Sequence, residues 1–314
     1  MYDPVRTFKG RRKTQIVDEI RSDQEKLPKI DRYKIGDILK AVNLKKATYH
    51  DERKRINNTE DKYYDLKREI MKIVEIGKCR GRLTYGYRRV QKLLVEDGFH
   101  VADSVVRKLM NQLGVQVSLY NHHKNGKYSS YKGTVGTIAD NILKQNFSSN
   151  KPYEVLHTDI TQVKLNDKIW AYISAVTDEA SKEILAFQVS NSPSRELITN
   201  TINELISNMP IDVNPIIHSD QGWQYQLDYY MQQIKNNNFI QSMSRKGNCH
   251  DNVPMESFFH LYKTECLFGL PACQSLEELI SVSSEYIDLF NNYRISLKTK
   301  GMSPCEYRKH TLAA

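Results

Sequence analysis

Apolar residues recur at two different spacings along the chain, and the spacing changes near residue 150. Before that point they return every three or four positions, as in amphipathic helices. After it they also form short runs of the kind found in strands. Helices are predicted over 35–57 with a break at Val42 to Leu44, over 61–76, and as a basic pair within 85–115. Both the broken pair and the later pair are plausible helix-turn-helix elements.

Residues 116–150 show no sustained period and are rich in Asn, Ser, Gly and Lys, which favours a linker. The adjacent His122 and His123 have no cysteine within ligand spacing, which argues against a zinc site there. The segment also carries tyrosines and lysines. A linker that lies along DNA, through charge and stacking, is the preferred interpretation.

The second half alternates predicted strands and helices. Strands are predicted over 153–163, 169–178, 183–189, 213–217 and 239–242, and helices over 194–207, 224–235, 255–267 and 276–292. Three strands, then helix, strand, helix, strand and helix, is the order of the ribonuclease-H-like fold, an α/β core with a mixed five-stranded sheet and flanking helices. We predict a basic all-α DNA-binding region with helix-turn-helix elements over 1–115 and the linker over 116–150. The catalytic core is predicted over 151–292 and a C-terminal tail over 293–314.

Charge is distributed unevenly along the 314 residues, whose net charge is +9. Residues 1–150 carry 32 Lys and Arg against 18 Asp and Glu, a net +14, whereas the remainder carries 14 against 19, a net −5. A basic part joined to a mildly acidic part indicates that one part grips a polyanion while the other has a different role. Nucleic acid is the expected partner of the basic part.

The five cysteines are scattered and include no Cys-x-x-Cys pair, which argues against a disulfide framework and a structural zinc site. No apolar run approaches the roughly 18 residues needed to span a bilayer, and the N-terminus lacks the apolar core of a signal peptide. We therefore expect a cytoplasmic protein without membrane association.

Three carboxylates stand at informative places in the predicted fold. Asp159 lies within the first strand in HTDITQV, Asp220 just past the fourth strand in IIHSDQGWQY, and Glu256 at the opening of a helix in DNVPMESFFHLYK. Open α/β sheets place their ligand-binding loops at such strand ends. Acidic residues are common near strand ends, so each alone is weak evidence, whereas the joint pattern is specific.

Such a cluster suits phosphodiester chemistry, in which two hard cations held by oxygens activate the attacking oxygen and steady the leaving one. We expect two Mg²⁺ ions bound by Asp159, Asp220 and Glu256, and Mn²⁺ is expected to substitute. Lys263 lies seven positions after Glu256, within some 20° of the same helix face, and Asn252 one turn before it. Lys263 is expected to reach a phosphate beside the cut, and Asn252 to support the site.

HTDITQV, HSDQGWQYQ and SMSRKGNCHDNVPMESFF together resemble the catalytic signature of DDE transposases of the retroviral-integrase superfamily, in particular the OrfB protein of insertion-sequence family three. The 35 residues between Asp220 and Glu256 and the basic residue at Lys263 fit that family. YGYRRVQKLL and FNNYRISLKTKGMSPCEYR resemble its helix-turn-helix insert and its closing motif. One departure is Leu156, where the family often has an aromatic residue.

The resemblance implies a transposase that nicks an element end, frees a 3′-hydroxyl and transfers it to a second phosphodiester. It implies DNA partners, namely terminal inverted repeats and target, a homo-oligomer on DNA, and an upstream OrfA segment as a further partner. Expected DNA contacts are Arg88, Arg89, Arg107, Lys108, Arg245, Lys246 and Lys263, while Trp223 is expected to support a helix start. Two alternatives stay open: a nuclease on the same fold that does not join, and a DNA-binding regulator that needs OrfA.

Overall fold

The computed structural model describes residues 9–57, 61–117, 137–166, 169–245 and 249–314. Most of the predicted linker, including His122, His123 and the tyrosines, lies outside the described residues, as does Lys246. Contacts divide the chain into two compact units, Met1–Lys67 and Arg68–Ala314. This division falls inside the region that the sequence assigns to one helical part, and the predicted boundaries at residues 115, 150 and 292 stay predictions.

The first unit is helical. Its helices are α1 (Gly10–Gln24), α2 (Ile35–Ala41) and α3 (Lys46–Asn57), and α4 (Tyr64–Ile76) begins at its end. The predicted break between α2 and α3 falls at Asn43, which takes a left-handed conformation with φ 49°. The Leu44 N–H then donates to the Leu39 carbonyl at 2.9 Å, a common way to end a helix. Val17 and Tyr49 are fully buried in the small core that α1 shares with α2 and α3.

The second unit begins with the remainder of α4, a short hairpin of β1 (Lys78–Cys79) and β2 (Arg82–Leu83), and the helices α5 (Tyr87–Glu96) and α6 (Asp103–Gln112). The α5 and α6 helices are the basic pair predicted from the sequence. Gly98 follows α5 with φ 86°, the left-handed conformation that glycine adopts without strain at a helix end.

A five-stranded sheet forms the centre of the second unit, as predicted. Its strands are β3 (Val155–Lys164), β4 (Trp170–Asp178), β5 (Ile184–Ser190), β6 (Ile216–Ser219) and β7 (Ile240–Met243), in the spatial order β5-β4-β3-β6-β7. The β3, β4 and β5 strands pair antiparallel, whereas β6 pairs parallel with both β3 and β7. The sheet is therefore mixed, and β3 lies at its centre.

Helices cover both faces of the sheet. On one face Ile173 and Ala175 of β4 pack against α9 (Val253–Tyr262) and α10 (Leu276–Asp288). On the other face Leu156 and Val176 pack against α7 (Arg195–Asn208) and α8 (Asp228–Asn236). Successive residues of one strand thus enter opposite cores, because strand side chains alternate between the two faces of the sheet. In the described part of the chain, no helix is both long and apolar enough to cross a bilayer.

Several elements differ from the sequence-based prediction. The α1 helix was not predicted, and the tail over 293–314 contains α11 (Pro304–Ala313), whose start is a capping box of Ser303 and Glu306. The helix predicted from residue 224 is a 3₁₀ turn, Trp223–Gln226, followed by α8. The helix predicted over 255–267 starts at Val253 and ends in a π-helical turn, Lys263–Leu267.

Candidate active site

Asp159 and Asp220 lie side by side where the central strand β3 passes the end of its parallel neighbour β6. The β3 and β6 strands pair in a register that sets His157 beside His218. Two residues further along, the same register sets Asp159 beside Asp220, which directly follows β6. The two aspartates therefore reach the same side of the sheet because strand side chains alternate with a period of two.

Backbone N–H groups fix both carboxylates. Asp159 Oδ1 accepts from the Ile160 N–H at 2.8 Å, and Asp220 Oδ1 accepts from the Gly222 N–H at 2.8 Å. A Cβ atom at residue 222 would lie 2.9 Å from Asp220 Oδ1. A side chain at residue 222 would therefore push the Asp220 carboxylate out of this position.

Glu256 and Lys263 come from the helix that crosses this edge. Glu256 lies half-buried in the first turn of α9, and Lys263 directly follows the helix. The Asn252 side-chain amide donates to the Thr158 carbonyl at 3.1 Å, and Lys263 Nζ donates to Thr161 Oγ1 at 2.6 Å. These two hydrogen bonds fasten both ends of α9 along β3, with Glu256 between them.

Charge is crowded at this site. Burial raises the pKa of Asp159 well above its usual range, and the neighbouring charges of Asp220 and Glu256 raise it further. Burial also raises the pKa of Asp220. Lys263 acts in the opposite direction, because its positive charge favours the ionised form of Asp159. An added cation would relieve this crowding.

The three carboxylates fit a hard divalent cation by their chemistry. Together Asp159, Asp220 and Glu256 offer only oxygen donors, the ligands that Mg²⁺ and Mn²⁺ prefer. Within the described ranges, no group of three or more His, Cys, Asp or Glu side chains is arranged so that it could hold a metal ion. The charges of the three carboxylates therefore influence one another, but their side chains are not arranged as a complete set of metal ligands.

Two buried histidines precede the aspartates on β3 and β6. His157 Nε2 pairs with Glu179 Oε2 at 2.7 Å, and His218 Nδ1 pairs with Ser242 Oγ at 2.9 Å. Burial lowers the pKa of His218 to about 4, so its ring is neutral at ordinary pH. The sequence contains a signal for these two histidines, because each stands two positions before one of the aspartates.

The loop before α9 is anchored by Asp251, which the sequence-based prediction did not include. Its buried carboxylate accepts from the Arg245 backbone N–H at 2.8 Å and from the Arg245 guanidinium at 3.1 Å and 3.2 Å. Asn141 and Gln145 also donate to it, at 3.1 Å and 2.8 Å. Arg245, predicted to contact DNA, thus has an exposed side chain that an internal carboxylate already binds.

The predicted DNA-contact residues of the helical pair have different surroundings. Arg88, Arg107 and Lys108 are exposed, and the guanidinium groups of Arg88 and Arg107 lie 5.6 Å and 5.9 Å from the centre of the Tyr87 ring. Arg89 instead donates to the main-chain carbonyls of Ile295 and Thr84, at 3.0 Å and 3.1 Å. Arg89 therefore joins α5 to the C-terminal segment, while its neighbour faces solvent.

Trp223 and Lys263 complete the predicted set. Trp223 is half-buried at the first position of the 3₁₀ turn that precedes α8. Lys263 is not a solvent-facing lysine, because it bonds the strand that carries Asp159. Thr161, its partner, was not singled out from the sequence, although it lies two positions after Asp159 on the same strand face.

Comparisons with known proteins identify the families and relatives that this chain resembles. Profiles described as "Integrase core domain" match residues 149–249 and 256–312, and one described as "HTH-like domain" matches residues 63–123. This chain is 36% identical over 279 residues to "Putative transposase InsK for insertion sequence element IS150" of Escherichia coli K12. The alignment covers 89% of this chain and 95% of the relative. The InsF transposase of insertion sequence IS3A of the same organism is 28% identical and covers 74% of this chain and 80% of its own length.

A solved structure was also matched. The catalytic core domain of HTLV-2 integrase in complex with magnesium aligns with a TM-score of 0.37 at 13% identity, over 50% of this chain and 97% of that one. The mixed five-stranded sheet and the integrase-core match together identify the fold as ribonuclease-H-like, with a helical HTH-like region before it.

Proposed function

The chain belongs to the integrase-core transposases of insertion-sequence family three, and on that premise we propose that Asp159, Asp220 and Glu256 are the carboxylates with which it cuts and joins DNA. The observation that carries the proposal is the placement of Asp159 beside Asp220 on parallel central strands, with Glu256 and Lys263 within their electrostatic reach. A purely structural role would not require three negative charges to lie close together at the same place on the sheet.

The three carboxylates would hold the divalent metal, two Mg²⁺ ions with Mn²⁺ as a substitute. When bound, the metal would lower the pKa of the attacking oxygen's proton and offset the charge on the leaving oxygen. Hydrogen bonds hold these carboxylates or the elements that carry them. Backbone N–H groups orient Asp159 and Asp220, and the hydrogen bond from Asn252 to β3 fixes the helix that carries Glu256.

The reaction consists of two displacements at phosphorus. Water first attacks the phosphodiester at an element end, a P–O bond forms, and the bond to the 3′-oxygen breaks to leave a 3′-hydroxyl. That hydroxyl then attacks a second phosphodiester and displaces its 3′-oxygen, so the number of phosphodiester bonds is unchanged. Lys263 offers an ammonium group beside Asp159 that can bind a phosphate oxygen flanking the cut. By family resemblance, the second step joins one element end to the other before insertion.

The proposal is tested by Asp220→Asn, which keeps the size of the side chain and removes its charge. We expect it to abolish nicking and strand transfer on a labelled element-end duplex with Mg²⁺, while DNA binding is retained. Asp212→Asn removes a charge from an exposed loop of the same unit and should leave activity unchanged. Cleavage by Asp220→Asn at the wild-type rate would contradict the proposal.

The same assay separates the two alternatives. Hydrolysis by the wild-type chain with no strand-transfer product would identify a nuclease that does not join. A wild-type chain that binds the duplex but is inert until an OrfA segment is supplied would identify a partner-dependent protein. We also propose that the active form is at least a dimer on DNA, because two ends must meet for joining, and crosslinking on paired ends tests this.

A further inference from the structure

A cavity of about 430 Å³ lies next to the proposed active site. One wall is the end of the β3–β4 hairpin, including Gln162 and Trp170, and the other is the segment that follows α9, including Lys263 and Phe268. Lys263 connects the cavity to the site, because its Nζ bonds Thr161 on the strand that carries Asp159. Its volume lies within the range of about 300–1,000 Å³ typical of sites for small organic groups.

The lining combines aromatic surface with positive charge. Trp170 and Phe268 are 42% and 59% exposed, so both aromatic rings at this cavity are accessible from solvent. Lys164 and Lys263 lie at the same cavity, and none of the described residues that line it is Asp or Glu. This composition differs from that of the adjoining acidic site. It suits a flat aromatic group attached to an anion.

The second wall is held in place by main-chain hydrogen bonds. Arg82 donates to the carbonyls of Phe268, Thr264 and Glu265, at 2.5, 2.6 and 2.9 Å. Arg80 donates to the carbonyls of Cys266 and Pro271, at 3.2 and 2.9 Å. The segment that carries Phe268 is therefore fixed before any ligand arrives, which reduces the entropy lost on binding.

We propose that this cavity accepts one unpaired nucleobase of the DNA beside the scissile phosphate. The base stacks between Trp170 and Phe268, and the backbone phosphate of the same nucleotide meets Lys164 and Lys263. This inference rests on the proposed function, because the proposed function brings a DNA end to Asp159. A DNA end at that carboxylate lies beside the cavity mouth, where an aromatic surface recovers part of the cost of leaving the duplex stack.

The test compares Trp170→Ala with wild type on element-end duplexes carrying a single abasic nucleotide, placed in turn at each position flanking the cut. On the intact duplex we expect Trp170→Ala to lower the cleavage rate about tenfold, since stacking on an aromatic side chain contributes about that much per base. At one abasic position the wild-type and variant rates should become equal, because no base remains to stack.

Two matched variants control for general damage. Trp170→Phe keeps an aromatic ring and should retain most of the wild-type rate. Tyr293→Ala removes an aromatic ring that is 49% exposed elsewhere in the unit and should change neither the rate nor its response to abasic substitution. A Trp170→Ala chain that keeps the wild-type thermal unfolding midpoint shows that the loss is local.

The possible failures are distinguishable. If wild type cuts and Trp170→Ala matches it on the intact duplex, the inference is overturned and the proposed function stands. A Trp170→Ala defect that is the same at every abasic position also overturns it, because the cavity would then contact a protein segment or the DNA backbone. If wild type cuts none of the duplexes, even with an OrfA segment supplied, the proposed function fails and the inference with it.

Discussion

The Lys263 side chain illustrates how one residue acquires a role from its neighbours. Its Nζ donates to Thr161 Oγ1 at 2.6 Å, on the strand that carries Asp159. Burial lowers the pKa of Lys263, and the negative charge of Asp159 opposes that shift. The ammonium is therefore held beside the carboxylates by a hydroxyl group that a phosphate oxygen could replace as acceptor.

Replacing Lys263 by Met should lower the cleavage rate by at least about tenfold, because a charge-assisted hydrogen bond to a phosphate oxygen contributes about 1.5–3 kcal/mol. The measurement is kcat and KM on an element-end duplex. Thr161→Val removes only the resting partner of Lys263 and should have a much smaller effect. Lys235→Met, an exposed lysine on α8, is the control for lost surface charge, and an equal effect of both lysine variants would argue against a local role.

Neighbouring residues show what the sequence could not predict at this scale. Arg88 and Arg89 are adjacent and chemically identical, yet only Arg88 faces solvent, whereas Arg89 bonds the Ile295 carbonyl 206 positions away. The three carboxylates could be proposed as a site from the sequence because their motifs and their places relative to strands and a helix are local information. The partner of Arg89 depends on tertiary packing, which no local pattern encodes, whereas Arg245 binds Asp251 only six positions away.

At the scale of elements, the strands of the sheet were predicted because their apolar runs enter two cores. The α1 and α11 helices were missed for the opposite reason. Their sequences, GRRKTQIVDEIRSDQ and PCEYRKHTLA, hold few apolar residues, so the helical period is weak. The α11 start is visible in hindsight as a capping box of Ser303 and Glu306 with Pro304 in the first turn.

The π-helical turn after Lys263 is the element that links α9 to the rest of the second unit. Its Glu265 is fully buried and accepts from Arg294 at 2.8 Å and 2.9 Å and from the Tyr286 hydroxyl at 2.9 Å. The opposite side of the turn is bound by Arg82. Arg82 donates to main-chain carbonyls of this turn, whereas Arg294 and Tyr286 bind the carboxylate of Glu265.

Arg294→Met should destabilise the second unit by about 3–5 kcal/mol, because it leaves the Glu265 carboxylate buried without its cation. The measurement is the urea unfolding transition followed by tryptophan fluorescence. Glu96→Gln removes one partner of an exposed ion pair with Lys92 and should cost less than about 1 kcal/mol. The double variant Glu265→Gln with Arg294→Met should recover part of the loss. A single-variant loss no larger than that of Glu96→Gln would contradict the assigned role.

Across the whole molecule, charge and structure divide the chain at different places. The basic residues 1–150 extend past the first unit into the second, where β2 and α5 bond the C-terminal part of the chain through Arg82 and Arg89. A fragment cut at residue 150 would break those bonds. The contribution of the acidic part to DNA binding is therefore better measured in the intact chain by neutralising charges.

The acidic residues 151–314, with a net charge of −5, would repel DNA, and two Mg²⁺ ions would bring that charge to −1. We therefore expect Mg²⁺ to strengthen DNA binding of the wild-type chain when total ionic strength is held constant with KCl. Two charges about 4 Å apart interact by about 4 kcal/mol at an effective dielectric constant of 20. After screening by salt, we expect Mg²⁺ to raise the affinity for DNA about tenfold. Fluorescence anisotropy of a labelled duplex measures it.

The double variant Asp159→Asn with Asp220→Asn should lose most of this dependence on Mg²⁺. Without Mg²⁺ it should bind DNA more tightly than wild type, because two repelling charges are gone. Added Mg²⁺ should change its affinity little, because only Glu256 remains of the three proposed ligands. Asp212→Asn with Asp228→Asn makes the same change in net charge at exposed positions and should keep the wild-type response to Mg²⁺. If the DNA affinity of both double variants responds alike to Mg²⁺, the metal acts on the DNA and on overall charge. The three carboxylates would then not control how Mg²⁺ affects DNA binding.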